Sequence, residues 1–207
     1  MRRPSPWFPA GWRGWTGPLA AAGVLGAVIL GGASLALVEF GLFDTTAETP
    51  HQPLVAWAAH ETFIRFTKRH ASAAPEPPPL TPQSIQAGLR IYDRDCAVCH
   101  GAPGVSRPKW VSGMEPTPPY LLSAARRWDR RQLYWIIARG VKMTAMPAWD
   151  ETRPSSEIWD VVAFLDALPY LSTRDYLAMR RAQQAPGRRD PGSPAAQAPG
   201  IDGGGRR

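Results

Sequence analysis

Cys96 and Cys99 stand three positions apart in the run Cys96-Ala97-Val98-Cys99-His100, and Gly101-Ala102-Pro103-Gly104 follows directly. Two thiols and an imidazole in that order could do three kinds of chemistry. A bare Cys-x-x-Cys serves as a redox dithiol or as half of a zinc site. With histidine next to the second cysteine, the pattern is the attachment site of a c-type haem. Two thioether bonds must reach the two vinyl-derived carbons on one edge of the porphyrin, and the neighbouring imidazole then meets the iron from the proximal side. The chain has two cysteines in all, so no second pair can complete a zinc site. No strand precedes the pair to build a thioredoxin-like site. The pattern therefore assigns one covalently bound haem c to Cys96 and Cys99, with His100 as an axial ligand of the iron.

Helices must position these groups. Thr81-Pro82 has the form of an N-cap followed by proline at the first helical position. Ile85, Leu89 and Tyr92 then recur at helical spacing and lead into Cys96, while Gly88 offers a place for another backbone to come close. A second helix is predicted over 129–139, with Leu133, Ile136 and Ile137 inward and Gly140 ending it. A third is predicted over 155–168, closed by Pro169. Its apolar residues (Ile158, Trp159, Val161, Val162, Phe164, Leu165, Leu168) are too many for one stripe, so it should be buried between other elements.

These residues carry a resemblance. Residues 81–179 resemble a class I cytochrome c domain through Gly88-x-x-x-Tyr92, Cys96-x-x-Cys99-His100-Gly101, the stretch from Gly140 to Trp149, and Ile158-Trp159-Asp160-Val161-Val162-Ala163-Phe164-Leu165. The resemblance implies an all-α fold wrapped around one haem, with its first and last helices crossing at right angles. It also implies a distal methionine between the last two helices, commonly followed by proline. Met146-Pro147 fits that place, and Met143 is the alternative. His/Met ligation raises the reduction potential, because a thioether favours ferrous iron. The ordinary alternative for Met146 is core packing by an adaptable side chain, which is also the reading for Met114 and Met179. Trp128, Trp135, Trp149 and Trp159, with Tyr120 and Tyr134, are expected around the haem crevice. Pro116, Pro118 and Pro119 are expected in the loop past the proximal face, with one carbonyl accepting the Nδ1 hydrogen of His100. The segment containing Gly41-Leu42-Phe43-Asp44 and Pro50-His51 resembles the anchor region of proteobacterial membrane-bound mono-haem cytochromes.

The rest of the chain supplies an anchor and connectors. Arg2, Arg3 and Arg13 precede a run over 14–38 without one charged residue. About 20 apolar residues cross a bilayer, whereas a cleavable signal has an apolar stretch of only about 7–15. Ser34-Leu35-Ala36 leaves cleavage open, but length favours a transmembrane anchor. Basic residues before the run and Glu39, Asp44 and Glu48 after it place the N-terminus in the cytoplasm. The organisation expected is a basic cytoplasmic segment (1–13), the anchor (14–38), an exit segment and amphipathic helix (39–71), a Pro-rich linker (72–80), the haem domain (81–180) and a disordered tail (181–207). The helix over 53–70 suits either a membrane surface or a partner subunit. The linker, with Pro75, Pro77, Pro78 and Pro79, would hold the haem domain some ~20–30 Å off that helix if fully extended.

The net charge is +7, but it is spread over both termini as well as the candidate domain. With no nucleic-acid-binding motif, nucleic acid is a poor partner. The one dense cluster, Arg126, Arg127, Arg130 and Arg131, is either a solvated helix end or a surface that steers an acidic redox partner. The reading that results is a one-electron carrier, not an enzyme, anchored by one span in the bacterial inner membrane lipid with its haem domain in the periplasm. Its partners would be redox proteins such as a quinol-oxidising complex, a periplasmic dehydrogenase or a terminal oxidase. The alternatives are a haem-bearing subunit of a larger membrane dehydrogenase or oxidase complex, and a haem enzyme or gas sensor with an open distal site.

Overall fold

Helix α1, Thr16–Glu39, is uncharged until its last residue and has none of its side chains buried. At 1.5 Å per residue it is about 36 Å long, so it is long and apolar enough to cross a membrane. The structure, a computed structural model, describes residues 16–184. The expected basic segment and most of the expected tail lie outside the described residues. The chain divides into two units, Met1–Thr49 and Pro50–Arg207.

The second unit is all helical, with one isolated bridge between Ala102 and Val105 and no strand among the described residues. Its helices are α2 (Pro53–His70), α3 (Pro82–Ile91), α4 (Ala97–His100), α5 (Ala124–Arg127), α6 (Arg130–Arg139), α7 (Ser155–Ala167) and α8 (Thr173–Gln184). The start signals act as expected. Thr81 Oγ1 accepts the N–H of Ser84 at 3.0 Å, and the Ser84 hydroxyl returns a bond to the Thr81 N–H at 3.1 Å. Asp129 and Gln132 make the same reciprocal cap at the start of α6.

The core forms where α3 meets α7. A Cβ at Gly88 would stand 1.9 Å from the backbone oxygen of Asp160 and 2.8 Å from the Phe164 Cβ, so only glycine lets the two helices approach this closely. Seven consecutive or near-consecutive residues of α7, from Ile158 to Leu165, are buried, as its apolar circumference predicts. α6 covers α7 through Tyr134 and Trp159, whose rings stack at 4.4 Å, and the Tyr134 hydroxyl bonds to Ser155 at 2.9 Å.

Three features depart from the expectations. The expected linker does not serve as an extended spacer. Arg131 pairs with Glu76 and reaches the Ser72 carbonyl, and Arg130 donates to the Pro78 carbonyl. These two arginines thus lash residues 72–80 to α6. α2 packs beside α6, with Phe63 edge-on to Trp128 at 5.6 Å and His70 roughly parallel to Trp135 at 6.0 Å. Polyproline stiffness fixes how extended a segment is, but partners elsewhere in the chain decide where it lies. Finally, α8 continues past the expected end of the domain. Its Tyr176 is fully buried and donates to Asp93, and Arg180 Nε meets the other oxygen of Asp93 at 2.5 Å.

Candidate haem site

The end of α3 does not run straight into the cysteines. A wide turn over Tyr92–Cys96, closed by the Ala97 N–H on the Tyr92 carbonyl, joins α3 to α4. Such an inserted turn re-aims the residues after it and is frequent at functional sites. Tyr92 is fully buried, and its hydroxyl donates to the Gly101 carbonyl at 2.5 Å, tying the end of the motif to its beginning. Burial, with smaller contributions from neighbouring acidic groups, pushes the Tyr92 phenol far above its usual range, so it remains a donor.

Cys96 and Cys99 are half-buried and not joined in a disulfide. Burial pushes the Cys96 thiol up to about 12. A thioether carries no charge and so suits a half-buried position of this kind. His100 Nδ1 lies 2.7 Å from the Pro119 carbonyl oxygen. A carbonyl only accepts, so Nδ1 carries the hydrogen and Nε2 keeps a free lone pair. Burial lowers the His100 pKa, opposed by that hydrogen bond and aided by the Arg107 charge, which favours the neutral imidazole that a metal requires. Pro119 is thus the carbonyl that the proline-rich loop supplies. The donor set fits a c-type haem: two unpaired thiols, and an imidazole in the right tautomer.

Arg107 braces this side and was not singled out by the sequence. Its Nη1 donates to the Pro118 carbonyl at 2.5 Å and to the Cys99 carbonyl at 3.4 Å. Its guanidinium lies over the Tyr120 ring at 3.8 Å. No local pattern in the sequence points to it, since its partners are two backbone carbonyls and a ring thirteen positions on.

The loop after α6 carries the methionines. Gly140 has φ 64°, and a Cβ there would stand 2.6 Å from the Pro147 carbonyl, so the loop folds tightly back over the helix end. Within it, the Val141 N–H meets the Met146 carbonyl at 3.2 Å, and Thr144 Oγ1 accepts the Met146 N–H at 3.1 Å. Met146 is half-buried and packs against the core, whereas Met143 has φ 59° and is 85% exposed. Trp149 and Trp159 join that core, and Trp128 packs against it while also meeting Phe63 of α2, whereas Trp135 turns to His70 of α2. Position on an amphipathic helix shows that a tryptophan is inward without showing which neighbour it meets. Of the arginine cluster, Arg130 and Arg131 hold residues 72–80, and Arg126 and Arg127 are exposed.

Residues 83–165 match the family model described as cytochrome c oxidase, cbb3-type, subunit III. This domain is a c-type cytochrome. The chain is also similar to the quinohemoprotein alcohol dehydrogenase ADH IIB of Pseudomonas putida, at 27% identity over 109 residues. That match takes in 52% of this chain and 14% of the dehydrogenase, so the chain spans only a small part of its relative's length. The all-helical fold, the haem-based electron-transfer class and an apolar helix suited to membrane anchoring agree with the sequence reading.

Proposed function

We propose that this cytochrome is a membrane-anchored mono-haem electron carrier, with Cys96 and Cys99 as thioether anchors and His100 and Met146 as axial ligands. The observation that carries the reading is the His100–Pro119 bond beside the second cysteine of the motif. It presents Nε2 in the ligating state with no proton to lose first. When bound, the haem iron supplies a one-electron Fe(II)/Fe(III) couple. The chain does the rest: His100 stays neutral, Met146 is offered from a loop folded on the core, and the aromatic core around Trp149 and Trp159 excludes water. Exclusion of water disfavours the extra charge of the ferric state and raises the potential together with the thioether. Met143, turned to solvent, is the weaker candidate for the distal position.

α1 would anchor the protein in the inner membrane with the cytochrome domain in the periplasm. Donor and acceptor would be membrane or periplasmic redox proteins, such as a quinol-oxidising complex and a terminal oxidase. The spectrum of the purified ferric protein tests the ligation. A weak near-infrared band from thioether ligation supports Met146, and its absence together with tight ferrous CO binding would instead mean an open distal site. The likeness to a quinohemoprotein dehydrogenase favours a second reading, in which the chain is the haem-bearing subunit of a larger dehydrogenase complex. The size of the haem-containing particle after gentle solubilisation separates a lone carrier from a subunit.

A further inference from the structure

Arg153 joins three parts of the molecule that are far apart in sequence. Its Nη2 meets Asp95 Oδ2 at 2.6 Å, and Asp95 immediately precedes Cys96. Its Nη1 meets Glu157 Oε2 at 2.5 Å in the first turn of α7. Its guanidinium lies 5.1 Å from the ring centroid of Trp149, and its own N–H bonds to the Trp149 carbonyl at 2.9 Å. Trp149 is three residues past Met146. The side chains of Arg153 and Asp95 are only 15% and 16% exposed, so this is a mostly desolvated pair and not a surface one.

The Glu157 bond alone would be an ordinary pair one helical turn apart. The bond to Asp95 is different, because it closes a chain segment of 58 residues and ends at the residue before the thioether anchor. Stability is a poor explanation for it. Apolar side chains of similar volume often serve a buried place at least as well as an ion pair does, and Arg153 Nε is buried without an acceptor. A directional, two-pronged guanidinium instead fixes geometry.

We propose that Arg153 is a positioning residue that locks the Met146 loop to the Cys96 segment and so sets how firmly the methionine stays on the iron. The inference rests on the proposed His100/Met146 ligation. Without the Asp95 bond, the segment just past Met146 keeps its pair to α6 through Arg139 and Asp150, at 3.0 Å, but loses this charged tie to the haem-attachment segment.

The test uses the full-length, haem-loaded protein and its variants Arg153→Gln, Arg153→Lys, Asp95→Asn and the double Asp95→Asn/Arg153→Gln. Ferric protein is titrated with imidazole while the near-infrared thioether band is followed. Arg153→Gln and Asp95→Asn should each let imidazole displace the methionine at about tenfold lower concentration. The double variant should show little beyond either single one, and Arg153→Lys should recover part of the resistance. A merely structural role would lower the melting temperature without changing displacement in this shared, non-additive way. Should Arg153→Gln fail to load haem, Asp95→Asn deletes the same bond while leaving Arg153–Glu157 in place. A wild-type protein with no such band overturns the ligation reading and this proposal with it. A wild-type band with unmoved variants, or effects that simply add, overturns the proposal alone.

Discussion

Around His100 the bracing partners are backbone carbonyls, whereas the Met146 loop adds charged pairs beyond its end to its own backbone and hydroxyl bonds. On the proximal side, Tyr92 holds the Gly101 carbonyl, Arg107 holds those of Pro118 and Cys99, and His100 itself is held by Pro119. The Met146 loop is held locally by Val141 and Thr144, and just past it by Arg153 with Asp95 and Glu157 and by Arg139 with Asp150. Carbonyls cannot titrate and are fixed by the fold, so the proximal side should be rigid and indifferent to conditions. Ion pairs need both partners in place, so the segment past Met146 should be the more adjustable one.

Mutations can break or sharpen this contrast. The largest effect should come from Gly88→Ala, which strikes beneath both sides. Its Cβ would meet the Asp160 backbone oxygen at 1.9 Å, so α3 and α7 must separate. A loss at the top of the ~1–3 kcal/mol range for overpacking, or beyond it, is expected. Denaturant unfolding followed at the haem and by circular dichroism should show both sides failing together.

Next come the proximal braces. Tyr92→Phe leaves the buried Gly101 carbonyl unpaired, at a cost of about 1–3 kcal/mol. Because burial keeps the phenol protonated, that cost should be the same across the neutral and mildly alkaline range. The near-infrared band should remain; its loss would mean that the two sides are not separately held. Arg107→Leu should cost a similar ~1–3 kcal/mol by orphaning two carbonyls, and it should also lower the reduction potential in a redox titration, because a cation beside the imidazole is removed.

Asp129→Ala removes the cap of α6, the helix that delivers the methionine loop, and should cost about 1 kcal/mol. The smallest effect is expected for Asp160→Asn. Burial raises the Asp160 carboxyl above its ordinary value, against the lowering effect of Arg90. The folded chain therefore holds that proton more tightly than the unfolded one, and stability falls as pH rises through the window from the ordinary value to the raised one. The amide should give a small gain in melting temperature at neutral pH that vanishes below that window.

The same contrast explains what the sequence could show. Thr81-Pro82, Asp129 and Gly140 mark helix ends through local hydrogen bonding, and the structure places α3 and α6 between them. Cys96, Cys99 and His100 are legible because the chemistry demands adjacency, and Gly88 because a crossing needs a missing side chain. Arg107 and Arg153 were not legible, since they act on backbone carbonyls and on residues as distant as Pro118, eleven positions on, and Asp95, 58 positions back. α8 escaped notice because one buried tyrosine on an otherwise polar helix makes no stripe. The proline-rich stretch read as a spacer because its composition is silent about Arg130 and Arg131, more than fifty residues on.

That last feature bears on how the cytochrome domain can be oriented. Leu54, Val55 and Trp57 at the start of α2 are exposed, while the far end of the same helix is fastened to α6 and the straps of residues 72–80. Whatever surface grips those three side chains takes hold of a handle and not a leash, and turning the handle turns the helices behind it as well.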